Sequence, residues 1–162
     1  FDETFHEEMT FADYVGYLTN PTPDRRYYLN QQHLVKTFPD IAPDVHVPDY
    51  IDRSKLHSVF FWFGSKGIKS PLHYDWKHNL LAQIHGAKKL VLYDPKHLAR
   101  LYPYSRRTAI PHLSRVDVDD PDLDRFPRFA DAEPIEDVLQ AGDMDLARSI
   151  RDQRGEQAWW RP

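Results

Sequence analysis

A mainly β domain with short helical elements at its N-terminal side is the fold class this sequence predicts, on three observations. The run HSVFFWFG, residues 57–64, is β-branched and aromatic, short, and closed by glycine. The runs NLLAQIH and KKLVLYD flank Gly86-Ala87, and a two-residue loop with glycine first is the mark of a type II′ hairpin. Thirteen prolines against six glycines break the chain into short elements joined by stiff turns. With 162 residues, 41 % of them hydrophobic and 14 % aromatic, the chain can bury a core.

The elements follow in order. MTFADYVGYLTN reads as a helix: Thr10 is the N-cap, Asp13 sits in the first turn, and Phe11, Val15 and Leu18 fall on one face. Pro21 and Pro23 stop it. RYYLNQQHLV starts as a strand and drifts into helix-compatible residues, and residues 37–53, with three prolines, form a connection. In the expected hairpin His85 faces Lys88, Gln83 faces Leu90 and Leu81 faces Leu92, so Asn79, Leu81, Gln83, His85, Lys88, Leu90 and Leu92 share one sheet face. Leucines mixed with Asn, Gln and Lys suit a pocket lining better than a plain core. DPKHLARLYP predicts a short helix with Asp94 as N-cap and Pro95 at its first position. Residues 104–132 form a polar, proline-punctuated loop whose acidic run, 117–124, reads as a solvated surface, and EPIEDVLQ brings back a strand. From Asp145 the composition changes to a helix-like, arginine-rich tail. The expected organisation is an N-terminal helical and connecting segment over 1–56, a β core over 57–144 and a distinct tail over 145–162.

Several function classes are disfavoured by composition. A net charge of −4 carries no polycationic footprint for nucleic acid. Without cysteine there is no disulfide, no zinc ribbon and no thiol catalysis. No apolar run reaches the ~18 residues of a membrane span, so the expectation is a cytoplasmic protein without membrane or nucleic-acid partners.

One short stretch carries chemistry. In SPLHYDWKHNL, residues 70–80, His73 and Asp75 are two apart, and on extended backbone residues two apart face the same way. An imidazole and a carboxylate from one rigid element suit a divalent first-row metal, and a second histidine from elsewhere would complete a facial triad with open positions. His78 and His85 read as surface or packing histidines, and the 159–160 tryptophan pair as packing.

The order SPLHYDWKHNLLAQIHGAKKLVLYDP, LYP, VDVDDPDLDRFPRFADA, LQAGDM resembles the JmjC, or cupin-like, hydroxylase family, with the densest likeness over residues 57–144. Within it the chain resembles the group of the asparaginyl hydroxylase that inhibits hypoxia-inducible factor and related protein hydroxylases. The resemblance implies a double-stranded β-helix (a jelly roll), Fe(II) as metal, 2-oxoglutarate as co-substrate and a protein or peptide as substrate, hydroxylated or demethylated on a side chain. Residue by residue, it implies His73 and Asp75 as metal ligands. It places Lys88 on the distal carboxylate of 2-oxoglutarate with Ser70 beside it, Asn79 near the metal, and Tyr28 reaching the co-substrate. The hairpin register independently turns Lys88 toward the pocket, where an unpaired ammonium is costly.

The resemblance fails at the C-terminus. After Gly142-Asp143-Met144 the family has an apolar strand and then a tryptophan-rich stretch ending in histidine. Here the tryptophan pair is followed by Arg161, and no histidine occurs after His112. Arginine stays protonated and cannot replace it. Three accounts follow: an aberrant or incomplete C-terminus on an impaired oxygenase, a non-catalytic cupin-like binding module, or a third ligand arriving from His112 or a second chain.

Overall fold

Thr10 opens the first helix, α1 (Phe11–Thr19): its hydroxyl oxygen accepts from the Asp13 backbone N–H at 3.1 Å, satisfying a donor the helix leaves unpaired. The computed structural model describes residues 6–22, 25–140 and 159–161. The chain folds as two compact units, Phe1–Ile68 and Lys69–Pro162.

In the first unit, strand β1 (Tyr28–His33) runs directly into a one-turn helix α2 (Leu34–Thr37), and β1 pairs antiparallel with β2 (Phe60–Gly64). The register matches Tyr28 with Gly64 and His33 with Phe60, and it shifts between Leu29 and Gln32, where Gln31 takes a left-handed φ of +50°. A bulge of this kind places two residues opposite one and turns the strand. Helix α1 buries a different side chain from the face its periodicity predicts. Phe11 and Val15 remain 46 % and 37 % exposed, while Tyr14 is 3 % exposed. The reason is the phenol, which donates to the Phe63 carbonyl and accepts from the Leu29 N–H, so it can enter between both strands with its polar end satisfied.

In the second unit, β3 (Ala87–Tyr93) is the centre of a three-stranded antiparallel sheet in the order β4-β3-β5, with β4 at Pro134–Gln140 and β5 at Trp159–Arg161. Lys88 stands opposite Leu139, Leu90 opposite Asp137 and Leu92 opposite Ile135. The expected hairpin between 79–85 and 88–94 does not form. Residues 78–84 are not strand, and over Val91–Tyr93 both edges of β3 already pair, with β4 on one side and β5 on the other. Gly86 does take the positive φ, +74°, that a tight turn there requires.

Asp94 caps a 3₁₀ turn, Pro95–Arg100, through a 2.8 Å bond from the Lys96 N–H. Beyond it the expected loop is more ordered than its composition suggests. Residues 102–104 lie against 113–115, and 72–74 lie against 112–114 through the His73–Leu113 bridge. Buried Ser114 holds this junction, donating to the Leu101 carbonyl at 2.6 Å and accepting from the Val116 N–H at 3.0 Å. The core beneath is Leu72, Val91, Tyr93, Leu101, Val116, Phe126, Phe129 and Ala132.

The mainly β expectation thus appears as two small antiparallel sheets interleaved with short helices. The described strands do not trace a complete double-stranded β-helix, since 79–85 is irregular and the tail from Asp145 to 158, expected to be helix-like, lies outside the described residues.

Candidate metal centre

Leu72 anchors the segment that carries the two candidate ligands. It is 1 % exposed within the core, and Tyr74 packs against the same core, so the period of two turns His73 and Asp75 to the opposite side. Both are half-buried. The Nδ1 of His73 lies 2.7 Å from the Pro71 carbonyl oxygen. A carbonyl only accepts, so Nδ1 donates here, and Nε2 is the nitrogen that the neutral ring would present to a metal. Asn79 donates through Nδ2 to Oδ2 of Asp75, fixing the carboxylate. Asn79 is thus tied to the candidate ligand Asp75 by a side-chain hydrogen bond.

His112 does not complete the set. Its ring lies 6.5 Å from the rings of both Tyr74 and Trp76. Among the described residues no three His, Cys, Asp or Glu side chains gather as a metal site. An imidazole and a carboxylate are the donor types that suit a divalent metal, and here Pro71 and Asn79 each hold one of them by a hydrogen bond.

Lys88 stands on the same unit, half-buried on β3. Burial pushes its ammonium below the ordinary lysine pKa. No carboxylate among the described residues pairs with it, so a bound carboxylate would relieve that penalty. Ser70, half-buried, lies three residues before His73. Tyr28 belongs to the other unit. Its ring lies across Gly64, where an added Cβ would stand 2.8 Å from Tyr28 Cδ2. Burial, and next the neighbouring Tyr14, push its phenol up to about 12. The sequence offered no sign of the Pro71 carbonyl or of the Asn79–Asp75 bond. Both depend on a local chain path that residue types alone do not specify.

A profile of the cupin-like domain matches residues 1–144. The chain belongs to the cupin-like JmjC family. Its relatives include lysine-specific demethylase 8 of Danio rerio, 35 % identical over 150 residues that cover 88 % of this chain and 36 % of that protein. JmjC domain-containing protein D of Dictyostelium discoideum is 37 % identical over 130 residues, covering 72 % of this chain and 29 % of that one. tRNA wybutosine-synthesizing protein 5 of Danio rerio is 35 % identical over 130 residues, covering 75 % of this chain and 38 % of that one. The chain thus spans about a third of the length of these relatives. JmjC members are iron- and 2-oxoglutarate-dependent dioxygenases, and the family assignment made from residues 57–144 stands. The name of the third relative includes tRNA, so net charge alone does not set nucleic acid aside as a substrate for a chain of this family.

Proposed function

We propose that this chain is the metal- and 2-oxoglutarate-binding region of a JmjC-type dioxygenase with the double-stranded β-helix of its family, and that it hydroxylates or demethylates a protein side chain. The observation that carries this reading is the His73–Asp75 pair. Two ligand types face one side of a core-anchored segment, with the imidazole held by Pro71 and the carboxylate held by Asn79. His73 Nε2 and Asp75 would hold Fe(II), which supplies oxygen activation in this family. Lys88 would neutralise the far carboxylate of 2-oxoglutarate, and Ser70 would donate to it. Among the described residues no third such side chain joins the pair, and with these residues alone turnover is expected to be impaired. That same shortage favours a second reading, a non-catalytic cupin-like module that binds a ligand or partner.

Manganese titration, with Mn(II) standing in for Fe(II), tests the centre. The wild-type chain should bind one ion, and His73→Ala should weaken binding by more than about tenfold. Lys88→Ala should keep the ion and lose 2-oxoglutarate. Binding of Mn(II) that is undetectable, or equal in wild type and His73→Ala, rejects the oxygenase reading. An intact metal and co-substrate site without succinate formation selects the binding module.

A further inference from the structure

Away from the metal ligands, the loop between β3 and β4 carries an arrangement that the oxygenase reading does not use. Tyr102 and Phe126 pack with ring centroids 5.0 Å apart. The Arg115 guanidinium stands 5.8 Å from the Tyr102 ring and 5.6 Å from Phe126, that of Arg125 stands 5.1 Å from Phe126, and that of Arg128 stands 5.2 Å from Tyr102. Three exposed cations thus crowd one aromatic pair.

We propose that Arg115, Arg125 and Arg128, gathered on the Tyr102–Phe126 pair, form a binding site for a single phosphoryl dianion. The proposal is independent of the metal centre.

The first argument is charge. Among the described residues none of the three arginines forms an ion pair, although the same loop is rich in aspartate. Asp119 is taken by Lys69, and Asp117 and Asp122 accept from the backbone N–H groups of Asp119 and Arg125. Like charges brought together without a counter-charge repel, and an anion of two charges relieves that repulsion. Arg115 and Arg128 turn their Nε–H groups to Tyr102, and among the described residues no partner takes the terminal N–H groups of the three guanidiniums, which form the planar fork that matches phosphate oxygens.

The second argument is the backbone. Tyr102 takes a left-handed φ of +47°, which a bulky residue adopts only where its surroundings over-determine it. Those surroundings are the arginines themselves. The Tyr102 carbonyl accepts from the Arg115 backbone N–H at 3.0 Å and from its Nε at 3.3 Å, and the phenol oxygen accepts from the Arg128 backbone N–H at 3.0 Å. The Arg128 contacts also hold the phenol below its ordinary pKa. Tyr102 is therefore a strained hub that fixes two of the three cations in place.

A discrete anion is favoured over an extended one. The acidic run 117–124 lies between Arg115 and Arg125 in the chain and would repel a long phosphate backbone. Phe126 is 4 % exposed, and arginines already stand beside both rings, which leaves little room for base stacking. A phosphorylated side chain and a small-molecule phosphate ester present the same group.

The test is titration of the 162-residue chain with inorganic phosphate at low ionic strength, followed by calorimetry and by the arginine Nε–H resonances. Saturable binding is expected with a Kd on the order of 1 mM, with shifts at Arg115, Arg125 and Arg128 that chloride at equal ionic strength does not produce. The Arg115→Gln/Arg128→Gln double variant should bind about tenfold more weakly. If that variant does not fold, the wild-type resonances decide alone. Shifts confined to other arginines, no saturation by about 20 mM, or equal affinity in a folded double variant overturn the site. Phosphoserine and a nucleoside monophosphate serve as separate arms, and tighter binding of either supports the site and names the source. A single-stranded RNA that binds more than about tenfold tighter than phosphate, with a steep salt dependence, overturns the single-anion reading in favour of a polyanion track.

Discussion

Lys88 shows at the residue scale how a cost to folding can point to a ligand. Its ammonium is held below the ordinary lysine pKa because β3 carries it partly out of water. Between that depressed value and the unfolded lysine value of about 10.4, the unfolded chain holds more protons than the folded one, so stability rises with pH across that window. Below the window the whole penalty is present. Lys88→Met should therefore be more stable than wild type near neutral pH, with the advantage shrinking as pH approaches about 10. Urea midpoints at the two pH values check this, and an equal advantage at both contradicts the burial account. Saturating 2-oxoglutarate should remove much of the difference by stabilising wild type alone. His73 adds a second lesson at this scale. Its type and spacing mark it as a candidate ligand, and its ring orientation is held by a carbonyl two residues back.

At the scale of elements, α1 was placed by its cap and its stop, and the buried face was not. Counting apolar residues selects Phe11, Val15 and Leu18, while packing selects Tyr14 because only a phenol can reach two strand backbones and satisfy both. Tyr14→Phe removes an acceptor for the Leu29 N–H and a donor for the Phe63 carbonyl, and should cost about 1–3 kcal/mol in chemical denaturation. A loss near zero would mean that water reaches those groups. The strand at KKLVLYD was equally legible, and its partner was not. Gly86 has the turn conformation that the sequence suggested, yet β3 pairs with β4, more than 40 residues along the chain, and with β5. Hairpin signals describe local backbone, and the pairing is decided by which strand offers an edge where the core needs one.

For the whole molecule, the second unit depends on a small core, and Leu101 is fully buried at its centre. Leu101→Ala should destabilise by about 2–5 kcal/mol, read from the urea midpoint with an unchanged slope. The same core holds Leu72 and, one residue on, points His73 away from it, so Leu101→Ala should also weaken Mn(II) binding if the ligand geometry depends on that packing. The incomplete ligand set also belongs to this scale. His112 adjoins Leu113, the bridge partner of His73, yet no three metal-ligating side chains gather among the described residues, so proximity in the chain's path does not supply a third ligand there.

The sequence by itself determined the family, the strand and helix positions around 11–19, 28–37, 60–64, 87–93 and 134–140, and the identity of the candidate ligands, because these rest on residue types, caps and short-range spacing. Only the tertiary structure decided which strands pair, which face of α1 is buried, that Asn79 grips Asp75, and that three arginines meet on Tyr102 and Phe126. Those facts depend on residues distant in the chain competing for one core and one set of backbone partners, and a linear pattern carries no information about who wins that competition.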